Sequence, residues 1–307
     1  MEMMTVKLFV IVVTYKGQQW YDRCFSSLRE STIPIQTVVI DNASNDGSIE
    51  LIQDNYPEIH LIESRENLGF GRANNIGIKY ALCNGADYVF LLNQDAWVES
   101  DTLEKLVDIH LRHSEYGILS PIHLNAEKSG IEKGLINYLD DKSITDKTLF
   151  VDLYFGRLKE VYRTNYVNAA AWLLPRKTLE TVGGFDPIFL HYGEDDNYMH
   201  RVLYRKMRIG ICPSCRIVHD TERRVQTGSH KMVTENGNFL VDVTDVNTPL
   251  NINALRWFHF RKYLFKLLAN KKPQAKRHWR NFRFLGRNKK NILRSRAQNV
   301  IVGPNWL

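Results

Sequence analysis

Four short polar segments of the sequence each follow an apolar, β-branched run. They begin at Thr14, Asp41, Asn67 and Asn93 and carry hydroxyl, amide and carboxylate side chains. Carboxylates at such positions can accept hydrogen bonds from a base or a ribose, and a short acidic cluster can hold a divalent cation that bridges phosphates. Each segment alone is typical of a turn. Together they indicate a ligand site, because open α/β sheets bind ligands at the carboxyl ends of their strands.

A second candidate is the acidic run Glu194, Asp195 and Asp196, which opens a helical pattern. Three carboxylates at this position can simply cap a helix and interact favourably with its dipole. One of them can instead act as a general base that takes a proton from an attacking hydroxyl. His219 ends a strand-like segment, and a lone histidine of this kind is more often structural than a metal ligand.

Apolar runs alternate with helical patterns through the first 120 residues, which predicts an α/β fold with a parallel sheet of βαβ units. The predicted strands are residues 8–13, 37–40, 60–63 and 88–92. The predicted helices are residues 20–29, one that begins at Ser48, one that ends near Leu82, and 103–111. After about Ser114 the pattern is less regular. There, residues 150–174 resemble strands, residues 194–207 a helix and residues 222–249 a polar loop.

The charge of the chain is divided into two opposite parts. Of the 41 Lys and Arg and the 34 Asp and Glu, residues 246–307 hold 15 basic and no acidic side chains. Residues 1–245 keep 26 basic and 34 acidic side chains, so their net charge is −8 against +15 for the tail. We therefore expect one domain of residues 1–245, with halves at 1–120 and 121–245, followed by a basic amphipathic helical tail.

Aromatic residues are interleaved with the basic residues of this tail. The mixture suits an anionic lipid surface, where each basic residue contributes about 1 kcal/mol, or a nucleic acid. No recognisable nucleic-acid motif accompanies it, so the lipid surface is favoured and nucleic acid is not expected. A tail packed on the domain or on a second subunit is the remaining alternative.

Composition and cysteine usage narrow the class of protein. The hydrophobic fraction of 44% is that of a chain with a buried core. The apolar run at residues 8–13 is too short to span a bilayer and lacks a signal-peptide cleavage site. Cys24, Cys83, Cys212 and Cys215 are too scattered for a disulfide framework, and no second CxxC pair completes a zinc site. These features indicate a reducing cytoplasm.

The glycine-rich segment 69–74 (GFGRAN) invites a dinucleotide-binding interpretation. That fingerprint has a third glycine and follows the first strand. Here the last position is Asn74 and the segment follows the third predicted strand. A nicotinamide or flavin site is therefore disfavoured.

Six segments together resemble the family 2 inverting glycosyltransferases of the GT-A fold, in the branch that includes bacterial rhamnosyltransferases. They are residues 12–17 (VVTYKG), 41–48 (DNASNDGS), 67–77 (NLGFGRANNIG), 91–95 (LLNQD), 182–186 (VGGFD) and 192–196 (YGEDD). The resemblance covers about residues 5–220, with the segments in the family's order. It implies a Rossmann-like nucleotide-diphospho-sugar transferase fold with a basic α-helical extension.

The resemblance also implies roles for individual residues. Those that match the nucleotide-binding site are Thr14, Tyr15, Asp41, Asn42, Arg72, Asn75 and Asn93. Asp95 matches the last position of the family's metal-binding DxD motif, whose first position is Asn93 here, and His219 matches a second ligand. Oxygen ligands of this kind suit Mn²⁺ or Mg²⁺.

On the acceptor side, Asp195 matches the family's catalytic base, and Glu194 and Asp196 are fallbacks. An inverting transfer needs such a carboxylate beside the acceptor hydroxyl. Trp172 lies in the region that usually lines the acceptor side in the family. Its ring could stack on a sugar or lie in the core, and the sequence leaves both open.

The implied reaction is metal-assisted transfer, with inversion, of a sugar from a dTDP- or UDP-linked donor to a hydroxyl of a bacterial cell-surface glycan or its lipid-linked precursor. Rhamnose is the favoured sugar, and galactose, galactofuranose and glucose remain open. A sugar nucleotidyltransferase and a noncatalytic glycan- or membrane-binding protein are the alternatives. The expected location is cytoplasmic and peripheral, at the inner face of the cell membrane, and a homo-oligomer remains open.

Overall fold

A computed structural model describes residues 6–139, 144–190, 192–223 and 230–307. The strands in these ranges are β1 (Leu8–Thr14), β2 (Ile35–Asp41), β3 (His60–Glu63), β4 (Tyr88–Asn93), β5 (Ala96–Val98), β6 (Tyr116–Leu124), β7 (Tyr162–Thr164), β8 (Ala171–Pro175) and β9 (Arg208–His219). The helices are α1 (Gln18–Arg29), α2 (Ser48–Asn55), α3 (Gly69–Cys83), α4 (Thr102–Arg112), α5 (Lys133–Tyr138), α6 (Leu149–Tyr154), α7 (Arg176–Val182), α8 (Glu194–Tyr204), α9 (His230–Thr244), α10 (Ile252–Leu268) and α11 (Lys272–Asn299).

The strands of the described residues form one mixed sheet in the order β3-β2-β1-β4-β8-β6-β9-β5, and β7 pairs with β9. Strands β1 to β4 are parallel to one another. Strand β8 is antiparallel to both β4 and β6, whereas β6 and β9 are parallel to each other. The carboxyl ends of β1, β2, β3, β4, β6 and β9 therefore lie at one edge of the sheet, as the α/β prediction requires.

Alternation along β1 shows how the sheet separates two apolar layers. Phe9 and Ile11 pack in one layer with residues of α3, α7 and α8. Leu8, Val10 and Val12 pack in the other with residues of α1 and α4. Successive strand side chains point to opposite faces, so a continuous apolar run can bury both faces of a central strand.

The elements predicted for the first 120 residues are confirmed to within two residues at each end. Two later predictions need correction. In residues 150–174 the strand prediction is confirmed for β7 and most of β8 but is wrong at the start of the range. Residues 150–174 begin inside helix α6, where the Asp152 carboxylate accepts from the hydroxyls of Thr148 (2.6 Å) and Tyr162 (2.9 Å) and holds the turn. The predicted loop at residues 222–249 contains helix α9, although residues 224–229 lie outside the described ranges.

The basic tail forms the helical pair α10 and α11, which packs on the domain. Ile252, Leu285 and Ile292 are buried in a small core with Val243 of α9. The sequence predicted a loop here because residues 222–249 are rich in polar residues. The apolar residues that pack against α9 lie in the tail, so the sequence of this segment alone did not reveal the helix. None of the helices in the described ranges has the combined length and hydrophobicity that a membrane crossing needs.

A segment that follows α11 closes the turn between α7 and α8. The Gly184 N–H donates to the Asn305 carbonyl at 2.8 Å, and Leu307 packs against the core. Gly183 has a φ of +85°, and a Cβ there would lie 2.2 Å from the Asn305 carbonyl oxygen. Glycine is required at this position for both reasons.

Two helical glycines allow a matched test of packing. A Cβ on Gly77 in α3 would lie 2.5 Å from Ile11 Cγ2 and 2.7 Å from Ile40 Cδ1, whereas a Cβ on Gly286 in α11 would meet only the mobile end of Arg256. We expect Gly77→Ala to lower the free energy of unfolding by about 1–3 kcal/mol through overpacking. Gly286→Ala should raise it by up to about 1 kcal/mol through helix propensity. Urea unfolding of both variants checks this, and stabilisation by Gly77→Ala would contradict the packing of α3 on the sheet.

Candidate active site

The loops after β1 and β2 are joined by buried hydrogen bonds. The Thr14 hydroxyl donates to Asp41 Oδ2 at 3.0 Å, and the Ser44 N–H donates to Asp41 Oδ1 at 2.7 Å. Thr14 and Asp41 are both fully buried, while Tyr15 is exposed beside them. Each oxygen of the Asp41 carboxylate retains acceptor capacity. These three residues of the predicted nucleotide site therefore meet at the sheet edge.

Gln94 is a residue whose role the sequence did not reveal. Its side-chain oxygen accepts the Tyr15 N–H at 2.8 Å, and its amide nitrogen donates to the Tyr15 carbonyl at 3.2 Å. A Cβ on Gly17 would lie 2.3 Å from the Gln94 oxygen, so the glycine makes room for this contact. Gln94 thereby fixes the loop after β1 to the loop after β4.

Asn42 connects the same edge to helix α3. Its amide donates to the Gly69 carbonyl at 3.3 Å, and its oxygen accepts the Leu68 N–H at 3.1 Å. Further along α3, a Cβ on Gly71 would lie only 3.6 Å from Glu194 Cβ. The start of α3 thus lies between the nucleotide-side loops and the acidic cluster.

Arg72 and Asn75 face the loop between α7 and α8. The Arg72 guanidinium donates to the Pro187 carbonyl at 2.8 Å. The Asn75 amide donates to the Phe185 carbonyl at 2.8 Å, and its oxygen accepts the Phe185 N–H at 2.7 Å. In this structure both side chains therefore hold that loop on α3, and their predicted part in nucleotide binding stays a prediction.

Asp95 and His219 meet because β5 pairs antiparallel with the end of β9, which places Ala96 opposite His219. The closest atoms are Asp95 Oδ1 and His219 Nε2, 3.5 Å apart, and both side chains are buried. The Asn93 amide nitrogen lies 3.4 Å from the same ring nitrogen. A carboxylate oxygen and an imidazole nitrogen at this separation fit a divalent cation such as Mn²⁺. The pair predicted to bind metal is thus brought together.

A second group of potential ligands adjoins this pair. His123, Glu132 and His219 each offer a ligand atom, and these atoms lie within 4.8 Å of one another. Burial, with the neighbouring His219, holds the pKa of His123 well below its usual range, so this imidazole is neutral at physiological pH. Sequence patterns did not identify His123 and Glu132, because they lie in the irregular region after Ser114.

Two adjacent residues connect the acidic cluster to Asp95 and His219, which are called the metal pair below because they are the predicted metal ligands. The Asn93 N–H donates to the Ala170 carbonyl at 2.9 Å. The backbone of the neighbouring Ala169 lies near the Asp195 carboxylate and tends to lower the pKa of that group, although burial has the larger, opposite effect. The backbone at residues 169–170 therefore lies between the end of β4 and the start of α8, and it holds the predicted base close to the predicted metal ligands.

The acidic cluster starts helix α8, after Gly193 with its φ of +97°. The Tyr166 hydroxyl donates to Asp195 Oδ2 at 3.3 Å, and the Asp196 N–H donates to Asp195 Oδ1 at 2.9 Å. Burial raises the pKa of Asp195 above its ordinary value. Burial, with the charge of Asp195, raises the pKa values of Glu194 and Asp196 to about 7. A carboxylate with a raised pKa near neutrality suits a general base.

Trp172 lies in the core, where the structure shows no face for an acceptor. Its side chain in β8 is fully buried. The indole stacks on Phe185 with ring centroids 6.2 Å apart and also contacts Tyr198. Of the two alternatives that the sequence left open, the core position is the one observed.

The family model described as glycosyl transferase family 2 matches residues 9–170, which is more than half of the chain. The chain therefore belongs to glycosyl transferase family 2. The matched residues include Asp95 and the loops after β1, β2 and β4, where the predicted nucleotide-binding residues lie.

Three curated relatives are similar to the chain at low identity. The low-salt glycan biosynthesis hexosyltransferase Agl10 of Haloferax volcanii is 26% identical over 69% of this chain and 67% of its own length. The dTDP-rhamnosyl transferase RfbF of Shigella flexneri is 22% identical over 88% of this chain and 83% of its own. The N-acetylglucosaminyl-diphospho-decaprenol L-rhamnosyltransferase of Mycobacterium tuberculosis is 24% identical over 70% of this chain and 76% of its own.

Two solved structures share the fold. S. aureus TarS 1-349 in complex with UDP superposes with a TM-score of 0.56 at 15% identity, over 93% of this chain and 92% of that one. GalNAc-T7 with UDP, GalNAc and Mn²⁺ superposes with a TM-score of 0.63 at 16% identity. The match covers 96% of this chain and 58% of GalNAc-T7. Both support the GT-A architecture predicted from the sequence.

The raised pKa values of the acidic cluster predict a pH-dependent stability. A carboxyl group whose pKa is raised by folding binds protons more tightly in the folded state, so stability falls as the pH rises from about 4 through 7. Asp196→Asn removes the buried negative charge that the Asp196 carboxylate carries above its pKa of about 7. We expect it to raise the free energy of unfolding at pH 8 by on the order of 1 kcal/mol and to change it little at pH 4.

Urea unfolding at the two pH values measures the difference. Asp108→Asn, a change at an exposed position of helix α4, is the matched control and should show no such dependence. Equal effects of Asp196→Asn at both pH values would contradict the burial of charge at the start of α8.

Proposed function

We propose that the protein is an inverting, metal-dependent hexosyltransferase that uses a nucleoside-diphosphate sugar. The observation that carries the proposal is the pair of adjacent backbone contacts at Ala169 and Ala170, which join Asp195 to the Asp95–His219 side of the sheet edge. A single displacement needs a general base for the acceptor hydroxyl and a cation for the leaving diphosphate at the same site.

Each side chain has a defined part in the proposed reaction. Thr14, Tyr15 and Asp41 bind the base and ribose of the donor, and Asp95 and His219 would hold the cation. A divalent cation there supplies positive charge for the leaving diphosphate, so no protein acid is required. Asp195 takes the proton of the acceptor hydroxyl as its oxygen attacks the anomeric carbon from the opposite face. Its hydrogen bond with Tyr166 orients the carboxylate.

The relatives support a rhamnosyl donor and a lipid-linked acceptor. RfbF is named for dTDP-rhamnose, and the mycobacterial relative for a diphospho-decaprenol acceptor. We propose rhamnose transfer from a dTDP sugar to a cell-surface glycan or its lipid-linked precursor, with UDP-linked galactose, galactofuranose or glucose as the other donors to test. A nucleotidyltransferase or a noncatalytic binder has less support, because neither needs Asp195 beside the metal pair.

One assay of nucleotide release tests both the donor specificity and the role of Asp195 as general base. We expect release of dTDP or UDP from one sugar nucleotide of a panel when an acceptor and Mn²⁺ are present, and loss of release when Mn²⁺ is chelated. Asp195→Asn should lower turnover by at least about 100-fold, since it removes the general base, while the donor Kd stays nearly unchanged. Asp108→Asn is the control and should keep full turnover.

Two outcomes would contradict this assignment. Full turnover of the Asp195→Asn protein would move the base elsewhere in the cluster, to Glu194 or Asp196. No nucleotide release from any donor with any acceptor would count against glycosyl transfer by this protein.

We further propose that the tail docks on an anionic membrane from the cytoplasmic side, as a peripheral contact at the inner face. Helix α10 exposes an aromatic and basic surface even though the tail packs on the domain. Trp257 is 59% exposed, Phe265 is 61% exposed and Leu268 is 88% exposed. Arg261 and Lys262 lie among them on the same helix. Buried aromatics and adjacent positive charge are the features of interfacial helices.

Vesicle co-sedimentation tests this surface. The protein should sediment with phosphatidylglycerol-rich vesicles at low salt and less at high salt, because the Debye length shortens as salt is added. The double variant Trp257→Ala, Phe265→Ala should sediment much less. Tyr154→Ala with Phe155→Ala removes exposed aromatics near α6 instead and is the matched control. Equal sedimentation of both double variants would show that α10 is not the lipid-binding surface.

A further inference from the structure

Three buried side chains from separate elements converge behind the metal pair. His123 lies in β6, Glu132 is the N-cap residue of α5, and His219 ends β9. Their exposed fractions are 0%, 4% and 3%, and their ligand atoms lie within 4.8 Å of one another. The Glu132 N–H also donates to the His123 carbonyl at 2.9 Å, which holds the two residues together.

One ring nitrogen of His123 has no hydrogen-bond partner in the part of the chain that the structure describes. The Ser120 hydroxyl donates to the Pro121 carbonyl at 3.2 Å, so its oxygen accepts from His123 Nε2, which lies 3.3 Å away. This hydrogen-bond pattern assigns the proton to Nε2 and the lone pair to Nδ1. Nδ1 is fully buried and has no hydrogen-bond partner among the described residues. A buried lone pair of this kind is costly unless something binds it.

Glu132 is held in place by its capping contacts. Its two oxygens accept the N–H groups of Gly134 (2.7 Å) and Leu135 (2.8 Å), and Thr221 Oγ1 donates to Oε1 at 3.0 Å. A carboxylate has about four lone-pair sites, so one remains for a further ligand bond. Two imidazoles and a carboxylate form a donor set that Zn²⁺ commonly takes, with water in the fourth position.

We propose that His123, Glu132 and His219 form a second divalent-metal site, suited to a nitrogen-preferring transition metal such as Zn²⁺, that competes with the donor-binding cation for His219. With bonds of about 2.1 Å, tetrahedral ligand atoms lie about 3.4 Å apart, so the three side chains must close by roughly an ångström. The competition rests on the proposed function, which places the other cation at Asp95 and His219.

The competition follows from the chemistry of histidine. A neutral imidazole has one nitrogen with a lone pair and one with a proton. Whichever nitrogen of His219 binds the second metal, the ring cannot at the same time ligate the cation beside Asp95. Zinc at the second site therefore displaces the cation that assists transfer, and micromolar Zn²⁺ should inhibit a Mn²⁺-dependent activity.

Cobalt absorption provides a readout that does not depend on activity. Full-length protein titrated with Co²⁺ should develop the intense visible bands of tetrahedral cobalt, and Zn²⁺ should remove them. His123→Gln should abolish these bands and weaken Zn²⁺ binding, measured by calorimetry, by more than about 10-fold. Asp95→Asn should keep them, because it alters only the other site. His113→Gln removes a histidine that pairs with Glu160 at the surface and is the matched control.

The outcomes separate this site from the catalytic one. Tetrahedral bands that persist in His123→Gln, or that disappear in Asp95→Asn, would overturn the proposal, whether or not the protein transfers sugar. Glu132→Gln is the second variant if His123→Gln does not fold, and it should show the same loss of bands. In the transferase assay, Zn²⁺ inhibition should be relieved in His123→Gln and retained in His113→Gln, and equal inhibition of both would contradict competition at His219.

Discussion

Two neighbouring alanines lie between the two parts of the site and contact both of them through the backbone. The Ala170 carbonyl accepts from the Asn93 N–H at the end of β4, and the backbone of Ala169 lies near the Asp195 carboxylate at the start of α8. They meet there because β8 runs antiparallel to β4, so the residues before β8 reach the edge where β4 ends. Backbone atoms leave little freedom, and the small side chains allow the close approach.

The electrostatics of the site oppose its stability. The dipole of α8 favours negative charge at its start, yet burial outweighs it and raises the pKa values of all three carboxyl groups there. The protein keeps them in place with Tyr166 and with the packing of α3 against Glu194. The negative charge of residues 1–245 thus includes buried carboxyl groups whose ionised form is costly, whereas most basic side chains of the tail are exposed.

Periodicity and turn chemistry predicted the first half of the fold, because the central strands β1 and β4 are apolar runs buried on both faces and the loops after the strands carry polar residues. The same signals located Thr14, Asp41 and Asp95. They could not locate His123 or Glu132. These two residues lie beside His219 only because β6 pairs with β9, whose end is distant from them in sequence. Helix α9 was missed for a related reason. Its apolar side chains can be recognised as one packed face of a helix only when the tail residues that contact them are known.

The contact of Asn305 with Gly184 has a consequence for the order of folding. The turn that carries Phe185 and Asp186 is closed by a segment synthesised more than 100 residues later. Asp186 in turn accepts from Ser295 and Asn299 of α11. During translation, the sheet and its nucleotide-side loops can form early, as domains usually do. The turn at residues 184–186 lacks these contacts until the ribosome has released α11 and Asn305, so it reaches its final structure later than the sheet.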